Sequence, residues 1–120
     1  MPVTAPAPLN LRELQRYVQR IGDRFDLEAA RLGGARVDDL RGAAPQRERG
    51  EEFVVVLVSA FFAGIPWLER VHQAASLWDA AEMSGRADVH CYTPGELERR
   101  RATSFAVARV VDGGVDLLAL

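Results

Sequence analysis

Three short stretches of the chain carry residues able to do chemistry: Gly33-Gly34-Ala35-Arg36, Glu51-Glu52-Phe53 and Asp88-Val89-His90. A glycine pair at the start of a short helix offers backbone N–H groups to a phosphate. Carboxylates at the mouth of a buried strand suit a hard divalent cation. Asp88 and His90 fall on one face of a short strand, and with Glu51 or Glu52 they would make part of a metal site. Without further ligands the same pair is a polar surface.

Other reactive side chains point to bland roles. Cys91 is alone, so the chain forms no internal disulfide and no cysteine zinc site, which fits a reducing cytoplasm. It alternates onto the apolar face of its strand and reads as an inert buried thiol. His72 shares a helix with Trp67 and Trp78 and reads as a boundary histidine. Ser59, Ser76 and Ser104 show no Ser-His-Asp arrangement, and Gly113-Gly114 reads as a turn. Arg12, Arg16 and Arg20 recur every four residues. They read as a solvated helix face, with a basic ridge for phosphates as the competing reading.

These residues need a scaffold. At 120 residues the chain has room for one domain or a small domain that dimerises. We expect a loose, proline-containing tail over residues 1–8 and a single domain over 9–120. A net charge of −2 gives no global attraction to nucleic acid or to a membrane surface. No apolar stretch is long enough to span a bilayer, and the first residues lack the pattern of a secretory signal.

The central element is Glu52 to Ser59, where Phe53-Val54-Val55-Val56-Leu57-Val58 reads as a strand buried on both faces. Ahead of it, Asn10 caps a helix with Glu13 closing a capping box, and Leu11, Leu14, Val18, Ile21 and Phe25 form the apolar stripe. Leu27 to Leu32 is a weak strand candidate, Ala35 to Leu40 a short helix, and Arg41 to Gly50 an exposed loop. After the central strand, Pro66 starts an amphipathic helix through Trp67, Val71, Ala74, Trp78 and Ala81, ending near Ser84-Gly85. Arg86 to Tyr92 is a strand with Ala87, Val89 and Cys91 on its core face and Asp88, His90 and Tyr92 on its polar face. Thr93, Pro94 and Glu96 give a cap, an N1 proline and a box. Phe105 to Val111 is a second short helix, and Val115 to Leu120 a last strand or extended tail. Strands alternating with helices imply an α/β (α+β) fold with a sheet covered by helices.

In this order the chain resembles the minimal nucleotidyltransferases of the DNA polymerase β-like superfamily. The resemblance covers nearly everything after the tail. Its best local matches are Arg24-Phe25-Asp26 leading to Leu32-Gly33-Gly34-Ala35-Arg36, the Val54–Val58 strand, Pro66-Trp67-Leu68-Glu69-Arg70, and Ala87-Asp88-Val89-His90-Cys91-Tyr92-Thr93-Pro94-Gly95-Glu96-Leu97-Glu98. It implies a nucleotidyltransferase-like mixed sheet flanked by helices. It also implies a Gly-Ser turn for the triphosphate, an Asp-x-Asp pair and a third carboxylate holding two Mg²⁺ ions.

Laid on this sequence, the Gly-Ser pair falls on Gly34-Ala35, which lacks the hydroxyl. Gly33, Gly34 and Arg36 are then the nucleotide-binding candidates. The Asp-x-Asp pair falls on Glu51 and Phe53 or, one residue earlier, on Gly50 and Glu52. Asp88 matches the third carboxylate. The catalytic candidates are thus Asp88, Glu51 and Glu52, with Glu51 and Asp88 as weak Mg²⁺ ligands. Three functions follow: a degenerate nucleotidyltransferase retaining weak nucleotide or metal binding; a regulatory or antitoxin-like interaction protein pairing with a small helical partner; or an active enzyme built on Glu51, Glu52 and Asp88. Phe61, Phe62, Ile65 and Trp67 form an apolar cluster, which predicts a homodimer or a hetero-complex.

Overall fold

The computed structural model describes residues 9–40 and 52–120. The expected tail over residues 1–8, the loop over 41–50 and the candidate ligand Glu51 lie outside the described residues. Helix α1, Leu11–Gly22, begins where the Asn10 side chain accepts the Glu13 N–H at 3.1 Å. The other half of the expected capping box is not made. The Glu13 carboxylate is buried instead against the guanidinium groups of Arg16 and Arg20, and Arg20 also donates to the Leu77 carbonyl at 2.9 Å. Two arginines of the suggested basic ridge are thereby tied into the fold. Phe25 lies beyond the helix end but is still buried, 4.8 Å from the ring of Phe62.

The sheet contains β1 (Ala29–Gly33), β2 (Phe53–Val58), β3 (Ala87–Tyr92) and β4 (Val115–Asp116), in the spatial order β3-β2-β1-β4. β2 runs parallel to β3 and antiparallel to β1, and β4 pairs antiparallel with β1. The chain from Val115 onward is thus less regular than a full strand: two paired residues give way to a 3₁₀ turn over Leu117–Ala119.

The β-branched run of β2 alternates between two apolar layers. Phe53, Val55 and Leu57 join Leu32, Val89 and Cys91 on one face, covered by Leu14, Tyr17 and Ile21 of α1 and by Phe62 and Ala74. Val56 and Val58 join Tyr92 on the other, covered by Val107 and Val110 of α6 (Phe105–Gly113), with Val54 and Leu97 at the margin. Tyr92, expected on a polar strand face, is therefore a buried member of the second layer. Gly33 allows α6 to close on the sheet, since a Cβ there would stand 2.7 Å from Val110 Cγ2.

The long amphipathic helix expected from Trp67 to Ser84 is broken. It divides into α3, Trp67–Ser76, and α4, Ala80–Met83. The Asp79 side chain caps α4 by accepting the Glu82 N–H at 3.0 Å, and the Trp78 indole N–H donates to the Gly85 carbonyl at 2.9 Å. These local bonds compete with a continuous helix, and they place Trp78 5.3 Å from the ring of Phe53. Helix α5, Pro94–Thr103, has the full capping box: Glu96 N–H to the Thr93 hydroxyl at 3.3 Å, and Thr93 N–H to the Glu96 carboxylate at 2.8 Å.

Candidate functional site

The parallel register between β2 and β3 places Phe53 beside Ala87, Val54 beside Asp88 and Val56 beside His90. Residues facing each other across a ladder share a sheet face. Asp88 therefore looks out beside Val54, whereas Phe53 points into the opposite core. The residue beside Asp88 on that face is Val54, an apolar residue, and not Phe53.

The Asp88 carboxylate meets the His90 Nε2 at 2.8 Å, and the His90 Nδ1 meets the Tyr92 hydroxyl at 3.0 Å. The Arg100 guanidinium stands near the Tyr92 hydroxyl. Burial raises the Tyr92 hydroxyl above its ordinary pKa despite the lowering effect of Arg100, so at neutral pH it is a phenol. Three side chains at alternate positions of one strand thus form a chain of hydrogen bonds that ends near an arginine of the next helix. The period-two alternation made this alignment legible, but nothing in it announced Arg100.

The phosphate turn is arranged differently from expectation. Gly34 takes a φ of +105°, the left-handed region open to glycine, and leads into α2, Ala35–Leu40. The Arg36 N–H, which would face a phosphate, donates to the Glu52 carbonyl at 3.0 Å. The Arg36 guanidinium donates to the Ser84 carbonyl at 2.8 Å, pairs with the Glu52 carboxylate at 3.7 Å and lies over the Phe53 ring at 5.3 Å. Arg36 and Glu52 bind the first half of the chain to the turn before β3. Each has a structural partner where a nucleotide or metal was expected.

Mg²⁺ demands near-octahedral oxygen ligation. Among the described residues no three His, Cys, Asp or Glu side chains gather to hold a metal ion. Among the described residues Asp88 has the His90 imidazole and Val54 for neighbours, which by themselves supply too few oxygens for two metal ions.

Sequence reasoning missed Arg70. It sits on the buried stripe of α3, three residues after Trp67 and four before Ala74, and that placement was the available signal. Its guanidinium donates to the Ile65 carbonyl at 2.7 Å, the Cys91 carbonyl at 3.3 Å and the Glu96 carboxylate at 2.6 Å. The Arg70 hydrogen bond, with the Thr93 N–H second, pulls the Glu96 carboxyl down from 4.5 to about 2. The Cys91 thiol is pushed up to about 12, chiefly by burial, in keeping with an unreactive core cysteine. The apolar cluster expected at residues 61–67 divides: Phe62 is fully buried, while Phe61 is exposed and Trp67 remains 41% exposed.

No family model matches the chain, and no curated protein matches it. Among solved structures it is similar to that of a "putative nucleotidyltransferase" from Sulfolobus solfataricus, with a TM-score of 0.51 and 17% identity, covering 74% of this chain and 71% of that one. At that identity the likeness speaks for architecture alone. The mixed four-stranded sheet flanked by helices is a nucleotidyltransferase-like fold.

Proposed function

We propose that this protein uses a nucleotidyltransferase-like fold for binding, and that it does not transfer nucleotides. The observation that carries the reading is the pairing of Val54 with Asp88. Two-metal transfer needs carboxylates that bridge the ions and neutralise them. A valine supplies no oxygen at the position beside the remaining acid. The engagement of Arg36 and Glu52 with each other, with Ser84 and with Phe53 supports the same conclusion.

The test is incubation of the full chain with each nucleoside triphosphate, Mg²⁺ or Mn²⁺, and protein, nucleic-acid and small-molecule hydroxyl acceptors. Background transfer is expected. Robust transfer that disappears in Asp88→Ala would overturn the reading and bring Glu51 or Glu52 into the chemistry. The informative gain-of-function variant combines Glu52→Asp, Val54→Asp and Ala35→Ser, because these positions follow the observed register.

Exposed Phe61, Leu68 and Phe105 favour a second reading, in which a second copy or a small helical protein covers part of this surface. Light scattering that shows a monomer at high concentration, together with no co-purifying partner, would remove it.

A further inference from the structure

A groove of about 330 Å³ opens between α3 and α5, lined by Trp67, Tyr92, Glu96, Arg99, Arg100 and Thr103. It lies at the Tyr92 end of β3, whereas Asp88 stands four residues earlier on the strand. Its volume is at the low end of small-molecule sites, which run from roughly 300 Å³.

Three properties of the lining narrow what it can hold. The first is a flat apolar wall: the Trp67 indole is partly exposed and its ring centroid stands 5.2 Å from that of Tyr92, tilted by 41°. Such a wall receives a planar ring. The second is charge. Glu96 is committed to Arg70, so its negative charge is already balanced. Arg99 and Arg100 take part in none of the ion pairs found among the described residues, and the Tyr92 hydroxyl beside Arg100 is neutral. The groove is therefore cationic. The third is the type of donor: the consecutive guanidinium groups of Arg99 and Arg100 offer several N–H donors to an anion with several oxygens, which suits phosphate geometry, while the Thr103 hydroxyl donates to the Arg99 and Arg100 carbonyls at 3.3 Å.

We propose that this groove binds a planar aromatic ring carrying a phosphate, with the ring on Trp67 and the phosphate on Arg99 and Arg100. The inference does not depend on whether the chain transfers nucleotides. The hydrogen-bond chain from Asp88 through His90 fixes the Tyr92 hydroxyl at the rim of the groove, beside Arg100.

The test is calorimetric titration of the full chain with phenyl phosphate, adenosine monophosphate and inorganic phosphate. Both ring phosphates are expected to bind with one-to-one stoichiometry and to compete with each other, with inorganic phosphate weaker by about tenfold or more because it lacks the stacked ring. A preference for adenosine monophosphate would mark the ligand as a nucleotide, and equal affinity would mark it as a simple aryl phosphate. Trp67→Ala and Arg99→Ala should each weaken binding by about tenfold or more, whereas Arg16→Ala should not. Should an alanine variant fail to fold, saturation-transfer NMR on the natural chain decides, since ring contacts must map to Trp67. No binding of either ring phosphate at millimolar concentration would overturn the proposal. So would binding unaltered by both substitutions, or contacts mapping elsewhere.

Discussion

The two faces of the sheet are built from the same valine-rich strand and have opposite characters. On one, Phe53, Val55 and Leu57 are sealed beneath α1 and α3 in a largely apolar layer. On the other, Val56, Val58 and Tyr92 are sealed by α6, but the layer ends at Val54, and Asp88 and His90 emerge at its margin. A strand alternates strictly, so one residue of register decides whether an acid meets water or core. Among the described residues, Asp88 and His90 reach water where the second layer stops short.

The sharpest way to break this comparison is to place the same acid on each face. Phe53→Asp loses a buried ring and sets a carboxylate among Trp78 and the core; a loss above about 5 kcal/mol is expected, enough to unfold the chain. Val54→Asp, at a half-buried margin, should cost no more than about 2 kcal/mol and leave a cooperative transition. Chemical denaturation of both variants measures the contrast, and equal losses would contradict the register.

Arg70 ties the two faces together around the outer edge of β3. Its loss in Arg70→Ala strands the Cys91 and Ile65 carbonyls and the Glu96 carboxylate, and should cost about 3 kcal/mol by thermal or chemical unfolding. Arg70→Lys should recover only part of this, because an ammonium cannot reproduce the planar fork. Thr93→Ala removes the cap of α5 and should cost about 1 kcal/mol, shifting the denaturation midpoint without changing the slope.

The smallest effect is a pH dependence. The Glu96 carboxyl has its folded pKa depressed, from 4.5 to about 2. Its contribution is therefore complete above about pH 4.5 and is lost as pH falls toward 2, where the folded state must also take up the proton. Glu96→Gln should flatten the decline in stability across that window while leaving the neutral-to-alkaline range unchanged in shape. An acid limb as steep as that of the natural chain would show that other carboxylates govern it.

Much of this architecture was legible in the sequence. The valine run, the Thr93-Pro94-Glu96 cap and the short helices after Gly34 and Ser104 all appear in the expected order. What escaped was decided by partners distant in sequence. Glu13 left its capping box because Arg16 and Arg20 offered opposite charges in a buried place. The helix after Pro66 broke because Trp78 found the Gly85 carbonyl and Asp79 could cap. Arg36 was expected near a phosphate from its place in the resembled motif, and the partners it meets, Glu52 and Ser84, come later in the chain. The alternation of Asp88, His90 and Tyr92 was visible, but the pairing that sets Val54 beside Asp88 required the register itself.

One pairing has a consequence for how the chain is made. β1 gains its second neighbour only through Arg31 opposite Asp116 and Leu32 opposite Val115. Gly114 makes the approach close enough, since a Cβ there would overlap the Leu32 and Val110 carbonyls. During synthesis, residues 29–33 emerge long before residues 115–116, so one side of β1 stays bare until those residues follow. Pairings between residues so far apart close late and slowly, and a bare strand side is where nascent chains meet one another. Val115 and Asp116 are the residues that close that side.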